Sequence, residues 1–194
     1  MNKAVFLDRD GVINAALYNA TEDKLDSPYR LEDFRLLPGV PQAIRAIHQM
    51  GFFATVVSNQ PGVAKGKCDF AFIDRINRML QTQLAEQDAR LDAIYYCFHH
   101  PEAQVEELRF SCDCRKPKPG LLLRAAHDLQ INLVDSYIVG DNMVDILAGE
   151  AAGCRTVLLK NSFNSATEYA PVATPDIVEK DLLSAVTRIR SEVT

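Results

Sequence analysis

The chain has 194 residues, 47% of them apolar, with a formal net charge of −5 and no tryptophan. That size and composition suit one folded domain with a substantial core and exclude a disordered chain. The acidic balance argues against nucleic acid as a general partner. No apolar run reaches the ~20 residues that a bilayer crossing needs, and the N-terminal residues lack a signal peptide's apolar stretch, so a cytoplasmic protein without membrane or nucleic-acid partners is expected. With no heptad or long apolar stripe, a monomer is the expectation. In that compartment five cysteines read as thiols or metal ligands rather than disulfides.

Residues 4–7 are a short apolar run and predict a strand. Pro38-Gly39 opens a helix with Val40, Ile44 and Ile47 on one face, closed by Gly51. Residues 53–57 form the next strand, followed by a long helix over about 69–86 with Ile73, Ile76, Leu80 and Leu84 at helical spacing. A third strand at 93–96 leads to a helix over 119–129 with Leu122, Ala125, Ala126 and Leu129 inward. A fourth strand at 136–139, a helix over 144–152 ending at Gly153, and a fifth strand at 156–159 follow. A short strand at 177–178 and a helix over about 180–189 complete the pattern. This alternation predicts an α/β fold: a doubly wound, Rossmann-like parallel sheet with helices on both faces, one domain over residues 1–194 and no large cap domain. Residues 16–32 and 101–118 show no periodicity.

Ligands of an open parallel sheet bind beyond the carboxyl ends of its strands, and the residues there are strongly polar. Asp8 and Asp10 follow the first strand; their spacing points both side chains the same way. Ser58-Asn59-Gln60 follow the second, ahead of the glycine-bearing loop 62–66. Gly140-Asp141-Asn142 follow the fourth, with Asp145 one turn later, and Arg115-Lys116 precede the helix at 119. Paired carboxylates repel and call for a cation. Mg²⁺ is the hard cation for such oxygens, with Asp8, Asp141 and a backbone carbonyl near Asp10 as ligands. A carboxylate nucleophile, a lysine and a hydroxyl on the transferring group make this set suited to metal-assisted phosphoryl transfer. Arg9 could reach substrate or pair with a carboxylate. Lys65 and Lys67 could meet a second phosphate, although solvated surface lysines are the plainer reading.

Cys97-Phe98-His99 and Cys112-Asp113-Cys114 supply two ligand pairs of the kind tetrahedral Zn²⁺ takes, with His100 a rival to His99. Four protein ligands would close the site, making it a structural staple of the aperiodic loop that also fixes Arg115 and Lys116.

The order D-x-D-G, Ser-Asn-Gln, lysine and G-D-x-x-x-D resembles the haloacid dehalogenase superfamily of phosphohydrolases. By that resemblance Asp8 is the nucleophile, and Asp10 protonates the leaving oxygen and later deprotonates water. Ser58 and Lys116 hold the phosphoryl group, Asp8, Asp10 and Asp141 make up the Mg²⁺ site, and Asp145 supports it. The text from Tyr95 to Pro101 and from Cys112 to Pro117 resembles, within that superfamily, the D-glycero-D-manno-heptose-1,7-bisphosphate 7-phosphatases, which share a subgroup with histidinol-phosphate phosphatases. This likeness implies His99 as the zinc ligand, Arg115 as a substrate contact, and the loops at 58–60 and 62–66 as pocket lining. It also implies hydrolysis of a sugar phosphate on the way to the lipopolysaccharide core heptose. Histidinol phosphate is the alternative substrate, and a phospho-receiver signalling module the alternative of another class. Asn142 stands where the heptose enzymes carry lysine, and residues 16–32 are longer than that pattern; both bear on specificity.

Overall fold

A computed structural model describes residues 1–160 and 173–193; residues 161–172 and Thr194, within the span expected to be one domain, lie outside the described residues. Strand β1 (Lys3–Leu7) has every residue after Lys3 buried. Its side chains alternate between two cores, as a pleated strand covered on both sides requires. Val5 and Leu7 enter one apolar cluster, Ala4 and Phe6 the other. Strands β4 (Phe52–Asn59), β5 (Ala93–Cys97), β6 (Tyr137–Gly140), β7 (Arg155–Leu159) and β8 (Ile177–Glu179) join it in a six-stranded sheet of order β5-β4-β1-β6-β7-β8. Every pairing is parallel.

Helices cover both faces. Buried side chains of α1 (Val40–Gln49), α2 (Phe70–Ala85) and α5 (Leu182–Val193) share the cluster of Val5 and Leu7. Those of α3 (Gly120–Leu129), with Ala148 of α4 (Met143–Ala152), share the cluster of Ala4 and Phe6. The chain runs outward from β1 through β4 to β5, then returns to the other side of β1 for β6, β7 and β8. The direction of winding therefore reverses between β1 and β6, which is where an open α/β sheet opens its binding crevice.

Two sequence expectations shift. Residues 16–32 are not featureless: β2 (Leu17–Asn19) and β3 (Lys24–Asp26) form an antiparallel hairpin. Strand β4 runs two residues further than its apolar pattern, because Ser58 and Asn59 continue the ladder opposite Tyr96 and Cys97. No helix among the described residues is long and apolar enough to cross a membrane.

Candidate active site

Asp8 and Asp141 stand just past β1 and β6, the two strands at the reversal. The Asp8 backbone N–H donates to the Val139 carbonyl at 3.0 Å, fixing one strand end on the other. Gly11, at φ +87°, leaves room for the Asp141 carboxylate, which any Cβ there would strike. Asp145 opens α4, where its carboxylate accepts from the Asn142 N–H at 3.1 Å while the Asn142 side chain caps the helix in return. One carboxylate oxygen from each of Asp8, Asp141 and Asp145 lies within 4.8 Å of the others.

Burial, with the neighbouring charges of Asp8 and Asp145, pushes Asp141 up to about 8. Burial also raises Asp145, to about 6, against the pull of Lys116. Lys116 is almost wholly buried, with Nζ 2.8 Å from Asp8 Oδ1, 2.5 Å from Asp145 Oδ1 and donating to the Val57 carbonyl at 2.9 Å. Burial opposes its charge, but the two carboxylates outweigh that and hold the ammonium in its protonated form. One lysine cannot balance three carboxylates, so this oxygen set suits a hard divalent cation such as Mg²⁺.

Asp10 does not belong to that cluster. Its side chain pairs with Arg9, whose side chain is 1% exposed and lies 3.0 Å away. Gln60 Nε2 and Ser27 Oγ each donate to Asp10 Oδ2 at 2.7 Å, and Asn14 Nδ2 donates to Oδ1 at 2.8 Å. Burial works against the Asp10 charge, but Arg9 and these donors prevail and hold the carboxyl below its ordinary range. Any metal contact from Asp10 therefore falls to its backbone carbonyl rather than its side chain. Arg9 is thus the carboxylate partner of the two roles open to it, and it also lies 5.6 Å from the Tyr96 ring centroid.

Ser58 is buried and accepts from Gln60 Nε2 at 3.1 Å. Asn59 is directed elsewhere than a phosphate: its amide donates to the Lys116 carbonyl and accepts from the Lys116 N–H, both at 3.0 Å. It sets the position of the lysine instead. Arg115 is half-buried, its Nη1 3.4 Å from the His99 carbonyl. Lys67 pairs with Glu22 and Asp26 at the hairpin, at 2.5 and 2.6 Å. Ser27, Asn14 and the hairpin that leads to Ser27 escape sequence reasoning; for Ser27 and the hairpin the one signal was polar residues in a segment without period, and for Asn14 there was none.

The four soft ligands converge as their spacing implied. Cys112 Sγ lies 3.2 Å from Cys114 Sγ and 3.5 Å from Cys97 Sγ, and His99 Nδ1 lies 3.3 Å from Cys114 Sγ and 3.8 Å from Cys97 Sγ. Zn–S bonds of about 2.3 Å in a tetrahedron give S···S edges of about 3.8 Å, so the set fits a zinc ion with small adjustment. His100 faces away from it, its Nδ1 accepting from the Glu102 N–H.

Comparison with known proteins agrees with this layout. A HAD-hydrolase-like family profile matches residues 113–185. D-glycero-beta-D-manno-heptose-1,7-bisphosphate 7-phosphatase of Escherichia coli K12 is 43% identical over 158 residues, 80% of this chain and 78% of that protein. The chain belongs to the HAD-like heptose-bisphosphate phosphatase family. The Salmonella typhi member is 38% identical over 187 residues, 94% of each chain. Among solved structures, the D,D-heptose 1,7-bisphosphate phosphatase of B. bronchiseptica, complexed with magnesium and phosphate, superposes with TM-score 0.80 at 30% identity, covering 98% of this chain and 99% of that one. The chain is a phosphatase of this family, with its Rossmann-like parallel sheet.

Proposed function

We propose that this phosphatase hydrolyses the 7-phosphate of D-glycero-D-manno-heptose 1,7-bisphosphate, in the route to lipopolysaccharide core heptose, through an aspartyl-phosphate on Asp8. The observation that carries the reading is the cluster of half-buried Asp8 and Asp141 with buried Asp145 and Lys116 at the winding reversal, in a chain whose relatives are named for that reaction. An Asp8 oxygen attacks the phosphorus, the bond from phosphorus to the sugar oxygen breaks, and Asp10 gives that oxygen its proton. Water then attacks the phosphorus of the acyl phosphate while Asp10 takes the water's proton, releasing phosphate and Asp8. The carboxylate form favoured by Arg9 and Gln60 is the one this second half needs.

Lys116, Ser58 and the N–H groups after β4 offset charge on the transferring oxygens, and Asn59 keeps Lys116 in place. Arg115 and the loop at 62–66 line the sugar side. Asp8, Asp141 and the Asp10 carbonyl would hold Mg²⁺, which would supply positive charge there. Asp145 supports the ion indirectly by pairing with Lys116. Cys97, His99, Cys112 and Cys114 hold a structural Zn²⁺.

The test is phosphate release from a panel containing the heptose bisphosphate, histidinol phosphate and other phosphosugars, with Mg²⁺ and with EDTA. The heptose bisphosphate should give the highest kcat/KM, EDTA should stop turnover, and Asp8→Asn should lower kcat by on the order of a thousandfold or more. A preference for histidinol phosphate would reassign the substrate; retained turnover in Asp8→Asn would remove the mechanism.

A further inference from the structure

We propose that Ser27, delivered by the β2–β3 hairpin, is a positioning residue that aims the Asp10 carboxylate at the leaving oxygen of the substrate. The inference rests on the reading of Asp10 as the proton-transferring group. Ser27 lies 17 residues beyond Asp10, yet its hydroxyl donates to Asp10 Oδ2 at 2.7 Å, as short as the bond from Gln60.

The Ser27 contact is built rather than incidental, because the backbone that presents it is fixed from several sides. Asp26 Oδ1 accepts from the Ser27 N–H at 2.9 Å and from the Tyr29 hydroxyl at 2.7 Å. Asp26 Oδ2 accepts from Lys67 Nζ at 2.6 Å, and Lys67 Nζ also reaches Glu22 Oε1 at 2.5 Å. A continuous chain of short contacts therefore runs from the glycine loop through Lys67, Asp26 and Ser27 to Asp10.

Position in the chain separates Ser27 from the other partners of that oxygen. Asp10 Oδ2 also accepts from Arg9 Nη2 at 3.0 Å and from Gln60 Nε2. Arg9 adjoins Asp10 and Gln60 follows β4, whereas Ser27 comes from the separate hairpin. Its bond therefore ties the rotation of the Asp10 carboxyl to an element outside the main sheet.

The predicted signature is selective. A sugar alkoxide is a poor leaving group and needs the proton; an aryl oxide such as p-nitrophenolate leaves without it. Ser27→Ala, with a melting midpoint matching wild type, should lower kcat/KM for the heptose bisphosphate roughly tenfold, the worth of one hydrogen bond to a charged group. The same variant should leave kcat/KM for p-nitrophenyl phosphate within about twofold. Equal losses on both substrates, or no loss on the sugar phosphate, overturn the proposal. Asp10→Asn run alongside separates the two levels. If Asp10→Asn retains sugar-phosphate turnover, the role of Asp10 itself fails; if it loses that turnover while Ser27→Ala does not, only the Ser27 inference falls.

Discussion

Lys116 shows how much rests on single side chains here. Among the described residues its ammonium lies between Asp8 and Asp145, with Lys116 and Asp145 buried and Asp8 half-buried. Lys116→Met keeps the volume but strands two carboxylates without a counter-charge, and removing one partner of a buried pair costs about 3–5 kcal/mol. Urea unfolding of the metal-free variant should show that loss, and a change under 1 kcal/mol would mean the carboxylates rearrange to water instead. The sign of a pH effect follows from the same cluster. Asp141, at about 8 against an ordinary 3.8, and Asp145, at about 6, keep protons in the folded protein that the unfolded chain has already released. Folding stability of the metal-free protein should therefore fall as pH rises from about 4 to 8. Mg²⁺ takes the place of those protons and should flatten the slope. Melting curves at pH 5 and pH 8, with and without Mg²⁺, check this; a metal-free midpoint that climbs with pH contradicts it. At this scale Asp8, Asp141 and Lys116 were legible, because each sits in a short polar motif at the end of an apolar run. Ser27 and Asn14 were not, since nothing local announces a hydrogen bond across a loop. Asn59 was legible as a polar residue at a strand end but its bonds to the Lys116 backbone were not, because an amide looks the same in sequence whether it holds ligand or backbone.

Among the elements, the loop from Cys97 to Cys114 has a single three-residue helical turn of its own, at Glu106–Leu108. A zinc ion is what would give it a fixed shape. Stripping the metal, or making Cys112→Ser, should raise amide exchange across residues 98–118 and misplace Lys116, lowering turnover even with Mg²⁺ in excess. Metal analysis should find about one zinc per chain in the active wild type; an active, zinc-free protein with a protected loop would remove the staple. Helix α4 makes a different kind of contact. Gly149 presses directly on Ile138 and Thr156 of the sheet, where a Cβ would collide with Ile138 Cγ2. Gly149→Ala should lose about 1–3 kcal/mol by overpacking, despite alanine's better helix propensity. Equal or higher stability by denaturant melting would show that α4 can lift off the sheet without penalty. The order and type of the larger elements were readable from apolar period alone. Their ends moved where hydrogen bonding rather than hydrophobicity decides: α5 starts at Leu182 because Asp181 caps it, accepting from the Ser184 N–H at 2.7 Å. The hairpin was missed because its three-residue strands bury none of their residues fully and are too short to show a period of two.

Across the whole molecule, the site is assembled from distant parts of the chain. Asp8 follows β1, Lys116 follows the zinc loop, and Asp141 follows β6, so the carboxylate cluster joins residues more than a hundred positions apart. The alternating pattern made the sheet predictable, and the strand-end rule then pointed to the right edge of it without any knowledge of strand order. Strand order itself was not predictable from the pattern, and it is what brings Asp8 beside Asp141. Because β1 lies between β4 and β6, β1 leaves the ribosome long before the second of its two partner strands. Until residues 137–140 emerge, one flank of β1 has no neighbour, and an apolar strand with a bare edge is a template for the wrong chain. Nascent fragments that stop short of β6 should be the chaperone-dependent, aggregation-prone species of this protein's synthesis, and they can hold no catalytic cation however long they are given.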